Sequence, residues 1–258
     1  MYRDVRPVNE SSVTASTPEL WAKTFAASTR MNVWKMFRLS ATKEWRLIRR
    51  YVPRGARVLD AGCGFGEWVA FLKSRGYAAE GLDFSPQLVR RLRATYPDLK
   101  WTDGDIRHMP YDSDLFDSII SWGVIEHDEA GPAKALREFW RVLKPGGVAI
   151  VTVPVDSEMQ RYSAKYLYYR QADGNAFFQY FMTVDELAEH LQSSGFEAID
   201  SAVLPGTVLQ AVSPLLAARL HGVPFRTANL VASVFFARVH RYSVMTYCVG
   251  QKPFYAVS

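Results

Sequence analysis

The chain has 258 residues, 48% of them hydrophobic and 22% charged, which is enough apolar material for one large α/β domain with additions and too little charge for wholesale disorder. Two cysteines, Cys63 and Cys248, exclude a disulfide framework and point to a reduced, cytoplasmic protein. The formal charge of +5, with a pI of about 9.2, is a modest excess that fits either an ordinary Arg-rich surface or an anionic partner such as nucleic acid, anionic lipid or a phosphorylated substrate.

Residues 1–20 mix Arg, Asp, Glu, Pro, Ser and Thr, so they read as a mobile arm without the apolar core of a signal peptide. No run of about eighteen apolar residues occurs, so no spanning helix is expected. From Glu19 to Tyr51, Leu20, Trp21, Phe25, Trp34, Phe37, Trp45 and Ile48 recur at loosely helical spacing, predicting one or two helices. Strands and helices then alternate. Val58–Ala61 is a strand, Glu67–Ser74 a helix stopped by Gly76, and Ala78–Leu82 a second strand ending in Asp83. Ser85 and Pro86 supply an N-cap and a first-turn proline for a helix presenting Leu88, Val89 and Leu92. Leu99–Thr102 leads to Asp105, Phe116–Trp122 is a fourth strand, and Pro132–Leu143 is a helix ended by Pro145-Gly146-Gly147. Val148–Val153 is a fifth, fully buried strand. Such alternation predicts a doubly wound, mostly parallel sheet with helices on both faces.

Beyond Pro154 the pattern changes. Residues 156–182 are rich in Tyr and Phe; Thr183 and Glu186 form a capping box for a helix closed by Gly195; and Phe196–Val203 reads as a strand. Residues 207–240 hold two helical patterns, and Ser243–Gly250 reads as a last strand pairing antiparallel at the sheet edge. The organisation expected is an arm and helical cap over 1–44, a ligand-binding core over 45–155, and an aromatic insertion with C-terminal helices and last strands over 156–258.

The most informative run is Arg57-Val58-Leu59-Asp60-Ala61-Gly62-Cys63-Gly64-Phe65-Gly66-Glu67-Trp68, a strand, a glycine turn and a helix start. Glycines let a ligand approach the backbone, and the helix points unpaired N–H groups into the turn. A dinucleotide fingerprint needs glycine at its sixth position, where Glu67 stands, and Asp60 at the loop entry makes two phosphates unwelcome. The turn suits a ligand with positive charge or hydroxyls and no phosphate, a description that S-adenosylmethionine fits. Ligands of open parallel sheets bind at the carboxyl ends of the strands. There, Asp83 can accept both ribose hydroxyls, Phe84 offers a face to a purine, Asp105 suits the adenine amino group with Ile106 against the ring, and Trp122 ends the fourth strand where cofactor and substrate would meet. Each strand-terminal Asp alone would more often be a helix cap or a solvated residue, and only the recurrence at one strand–helix unit each makes the set specific.

With Gly81-Leu82-Asp83-Phe84-Ser85, Gly104-Asp105-Ile106, Phe116-Asp117-Ser118-Ile119-Ile120-Ser121, Glu126-His127 and Arg141-Val142-Leu143-Lys144-Pro145-Gly146-Gly147 added to the glycine turn, residues 45–155 resemble the class I S-adenosylmethionine-dependent methyltransferases, in the small-molecule group that includes the ubiquinone-type enzymes. The resemblance implies a Rossmann-like seven-stranded sheet with an antiparallel last strand. It also implies that Asp60 and the turn Gly62, Cys63 and Gly64 hold the methionine moiety, Asp83 the ribose, Phe84, Asp105 and Ile106 the adenine, while Trp122 lines the methyl-transfer face. His127 is the best-placed general base for an acceptor that must lose a proton, against an equally available structural role; Asp128 and Glu129 read as solvated loop carboxylates. A related metal-using subgroup carries Glu three residues before the Glu-His pair; Gly123 stands there, so no metal is expected. The Pro-Pro pair of nucleic-acid amino-methyltransferases is absent after Ser121-Trp122, which lowers base methylation. The expected activity is therefore O-, N- or C-methylation of a small-molecule or lipid-linked acceptor, with an RNA or protein methyltransferase or a non-catalytic binding protein as alternatives. The aromatic stretch 162–181 is either the roof of an acceptor site or a core layer. The basic amphipathic stretch 207–240 either contacts a membrane surface or packs on the core or on a partner subunit, as in a homodimer.

Overall fold

The structure, a computed structural model, describes residues 1–7, 17–18, 31–157, 175–204 and 245–254. Strand β1 spans Tyr2–Pro7, followed by helices α1 (Val33–Ser40) and α2 (Lys43–Tyr51). The alternating core follows as β2 (Arg57–Ala61), α3 (Glu67–Ser74), β3 (Ala78–Asp83), α4 (Pro86–Thr95), β4 (Lys100–Asp103) and β5 (Phe116–Trp122). A single 3₁₀ turn, Ile125–His127, leads to α5 (Ala133–Val142) and β6 (Leu143–Pro154). β7 (Asn175–Phe181), α6 (Val184–Ser193), β8 (Glu197–Leu204) and β9 (Met245–Gln251) follow among the described residues.

Seven strands form one sheet in the order β4-β3-β2-β5-β6-β9-β8. β2 through β6 are mutually parallel, and β9 runs antiparallel to both neighbours. This is the predicted Rossmann-like sheet, with strand order reversing between β2 and β5. Two apolar layers cover it. On one face, Trp45, Ile48, Phe71 and Leu92 from α2, α3 and α4 pack against Val58, Ile120 and Ile150. On the other, Leu136 and Phe139 of α5 and Leu187 and Leu191 of α6 pack against Leu59, Ile119 and Val151.

The caps follow from the sequence. Ser85 Oγ accepts from Leu88 N and Pro86 opens α4; Thr183 and Glu186 form the reciprocal capping box of α6. Several expectations change. The arm is in part a strand: β1 pairs antiparallel with β7, and Arg3 forms an ion pair with Glu129. The tail of the aromatic segment is that partner strand, whereas 158–174 lie outside the described residues. The last strand is not at the edge, because β9 inserts between β6 and β8 and leaves β8 outermost. Pro145-Gly146-Gly147, expected to end the preceding helix, lies within β6, where Gly146 N donates to the Lys252 carbonyl and Lys252 Nζ reaches back to the Leu143 carbonyl and Asp114. The helices expected over 207–240 lie outside the described residues. No helix among the described residues is long and apolar enough to cross a membrane.

Candidate functional site

The glycine turn closes on the end of β3. Gly62 N and Cys63 N both donate to the Leu82 carbonyl, at 2.8 and 3.0 Å, and Gly66 N donates to the Cys63 carbonyl at 2.8 Å. Gly62 has φ +85°, and a Cβ there would lie 2.6 Å from both methyls of Val124. The Asp83 carboxylate joins the first two strand ends: its Oδ2 accepts from Gly64 N at 3.1 Å and its Oδ1 from Ser85 N at 3.0 Å. Each oxygen keeps further accepting capacity. Burial raises the Asp83 pKa, outweighing the two N–H donors that lower it. Asp60, also buried, is pushed up to about 8 by its burial and by the neighbouring Asp83 charge.

One cleft at the carboxyl ends of the strands gathers Gly62, Asp83, Phe84, Asp105, Ile106, Trp122 and His127. Three further candidates do not line it. Asp60 lies beneath the turn, Gly64 takes part through its N–H, and Cys63 is buried with its Sγ close over Gly81 beside Trp101. Cys63 therefore shapes the turn from below, and its thiol pKa is raised by burial. Sequence reasoning missed Arg107, Gly123, Val124 and Asp128 on the same wall. Asp128, read as solvated, has its Oδ2 buried without a hydrogen-bond partner, as does Trp122 Nε1. Arg107 grips Asp105 through Nε and Nη2, with Oδ2–Nη2 at 2.6 Å, and lies 3.6 Å from Asp128. Burial would raise the Asp105 pKa, but the Arg107 hydrogen bonds and charge together hold it low. An adenine amine would thus share Asp105 with a guanidinium. The Asp-x-Arg spacing at a strand end was the signal available in sequence.

The acceptor-side wall is built on the 3₁₀ turn. His127 Nδ1 lies 2.8 Å from the Phe178 carbonyl, which can only accept, so neutral His127 carries its proton on Nδ1 and its lone pair on Nε2. Phe178 belongs to β7, so the ribbon with β1 fixes this imidazole; Tyr180 Oη adds a 2.9 Å bond to the Glu129 carbonyl. Glu126, 1% exposed, has Oε1 3.9 Å from His127 Nε2 and an unpartnered Oε2, and burial pushes its pKa up to about 8. Trp68 of α3 packs on Trp122 with ring centroids 5.6 Å apart. No group of three His, Cys, Asp or Glu able to hold a metal ion occurs among the described residues.

A family model for a methyltransferase domain matches residues 35–201, well over half of the chain. The chain belongs to that methyltransferase family. An S-adenosylmethionine-dependent methyltransferase of Mycolicibacterium smegmatis is 29% identical over 194 residues, covering 74% of this chain and 70% of that protein. The demethylmenaquinone methyltransferase of Staphylococcus epidermidis is 28% identical over 180 residues, covering 66% and 73%. Among solved structures, the methyltransferase in a complex with the Haloferax volcanii Trm112 activator superposes with a TM-score of 0.62 at 22% identity, over 93% of this chain and 97% of that one, and shows the shared fold. This methyltransferase is thus an enzyme that uses S-adenosylmethionine as its methyl donor.

Proposed function

We propose that the enzyme methylates a small or lipid-linked molecule bound at the Trp122–His127 end of the cleft, with His127 as general base. The observation that carries this reading is the 2.8 Å contact of Nδ1 with the Phe178 carbonyl, which leaves the basic lone pair on Nε2 in a residue of the cleft wall. The name of the Staphylococcus epidermidis relative, a demethylmenaquinone methyltransferase, supports a small acceptor.

When bound, S-adenosylmethionine supplies a methyl group already activated on a sulfonium. The residues present fit such a ligand. Asp83 retains accepting capacity for ribose hydroxyls, Phe84 and Ile106 offer apolar faces, and Trp122 and Asp128 of the same wall each hold a buried polar atom, Nε1 and Oδ2, without a partner in the protein. The Gly62–Gly64 backbone would receive the methionine end, with the Asp60 carboxyl buried behind it. The protein's own work is alignment and exclusion of water, and Trp68 packs tilted against Trp122, the cleft-wall residue beside which transfer would occur. Nε2 of His127 removes the acceptor proton, while β7 holds the ring so that no reorientation is needed.

The test is transfer of labelled methyl from S-adenosylmethionine into a fractionated cell extract by wild type and His127→Gln. Label in the small-molecule or lipid fraction, reduced at least about a hundredfold by the substitution, supports the reading. Label confined to RNA or protein refutes the acceptor class, and undiminished labelling by His127→Gln refutes the base.

A further inference from the structure

Among the described residues, one stretch of this enzyme is densely cationic. From Val33 to Arg57, eight Lys and Arg residues stand against one acid, Glu44, so this stretch carries +7 in a chain whose net charge is +5. Its two helices divide two properties between them. On α1, Leu39 is buried, whereas Val33, Trp34 and Phe37 are 79%, 80% and 69% exposed on the opposite side of the helix. On α2, Trp45, Leu47 and Ile48 are buried, and the outward positions Lys43, Arg46, Arg49 and Arg50 are all cationic. Arg54 follows, also exposed. The two helices are joined by Ala41 and Thr42, and Arg75 ties them together through a 2.8 Å bond to Ser40 Oγ and its position over the Trp45 ring.

The carboxylates near this region are few and occupied. Glu67 binds Lys35 and Arg38, and Asp200 takes Tyr51 Oη and Arg50. Arg46, Arg49 and Arg54 form no ion pair among the described residues. Arg49, Arg54 and Arg75, with Trp45 and Tyr77, line an open hollow of about 490 Å³.

We propose that α1 and α2 dock the enzyme on an anionic lipid bilayer, with Val33, Trp34 and Phe37 entering the headgroup boundary and the α2 arginines meeting lipid phosphates. The combination of an apolar helix face containing Trp with an adjacent cationic stripe is what interfacial binding requires. A second copy of the chain is a poor occupant, since a two-fold contact would press two like-charged stripes together. A nucleic acid would use the cations but leaves an aliphatic Val33 beside them unexplained. This surface is independent of the acceptor proposed above and of His127.

The test is flotation of the full chain with phosphatidylcholine vesicles, with and without phosphatidylserine. Binding is expected only when phosphatidylserine is present and is weakened by salt. Arg46→Gln/Arg49→Gln should lower it by roughly 25-fold, at about fivefold per cation, and Arg46→Lys/Arg49→Lys should retain it. Trp34→Ala/Phe37→Ala should lower it at least about tenfold, with S-adenosylmethionine affinity unchanged as the check on folding. Absence of flotation, binding equal on neutral vesicles, or binding indifferent to Arg46→Gln/Arg49→Gln or to Trp34→Ala/Phe37→Ala would overturn the proposal. So would retention by a single-stranded RNA oligonucleotide with none by vesicles.

Discussion

Gly62 is the position where backbone geometry, packing and the cleft meet, and Gly62→Ala separates them. The left-handed φ of +85° costs an alanine about 1–2 kcal/mol. The new Cβ would also stand 2.6 Å from Val124 Cγ1 and Cγ2, so Val124 must turn or the turn must open, at an overpacking cost of about 1–3 kcal/mol. The sum is about 2–5 kcal/mol, and at about 2–4 °C per kcal/mol for a chain of this size Tm falls by at least about 4 °C. Val124→Ala removes both methyls and keeps a Cβ 3.2 Å away. In that background the cost of Gly62→Ala should shrink to the backbone part, about 1–2 kcal/mol, which makes the coupling between the two sites about 1–3 kcal/mol. Urea denaturation of the four proteins of this cycle measures each quantity. A Gly62→Ala protein within about 0.5 kcal/mol of wild type would show that neither the left-handed backbone nor Val124 confines this turn, and a coupling of zero that Val124 does not.

Two further substitutions probe the buried carboxylates. Asp83→Asn keeps the shape but removes the charge that accepts from Gly64 and Ser85, so calorimetric affinity for S-adenosylmethionine should fall at least about tenfold; equal affinity removes Asp83 from the site. Glu126 titrates near 8 in the folded chain, well above its ordinary value of 4.5. The folded state therefore holds a proton that the unfolded state has released. The stabilisation is fully present below about 4.5 and is lost as pH rises through about 8, at no more than about 1.4 kcal/mol per pH unit. Glu126→Gln lacks this titration, so its stability relative to wild type should grow between pH 5 and 8. A difference constant over that range would show that Glu126 titrates normally.

The alternating core was readable because each of its signals is local. The β2 turn needs glycine at Gly62, α4 needs the Ser85-Pro86 start, and α6 needs Thr183 and Glu186 three residues apart. β1 was not readable, since the polar run Tyr2–Pro7 becomes a strand only through pairing with β7, far along the chain, with Tyr2 opposite Phe181 and Pro7 opposite Asn175. The place of β9 left a usable trace: Thr246-Tyr247-Cys248-Val249-Gly250 is without charge and wholly buried, as an interior strand is, while β8 carries Glu197 and Asp200. In the site, the strand-end acids were legible as residue types. What they bond to was legible only in part: the Asp-x-Arg spacing hinted at the Arg107 grip on Asp105, whereas the Phe178 carbonyl behind His127 depends on a partner strand distant in sequence.

Those acids also make the site responsive to the charge of its ligand. Asp60 is held near 8 first by burial and then by Asp83, so at pH 6 it is almost entirely neutral. A cationic ligand bound at the glycine turn favours the ionised carboxylate and lowers its pKa, which by linkage makes binding tighten as pH rises toward 8, by at most tenfold per unit. S-adenosylmethionine and S-adenosylhomocysteine share the same amino and carboxylate groups and differ in the sulfonium charge. Their affinity ratio therefore cancels what other titrating groups contribute equally to both. The ratio should move in favour of S-adenosylmethionine between pH 6 and 8, and Asp60→Asn should flatten it. Calorimetric titration of both ligands across that range gives the ratio directly. A ratio independent of pH in wild type, or one that still climbs in Asp60→Asn, would place the charge-sensing group elsewhere than beneath the glycine turn.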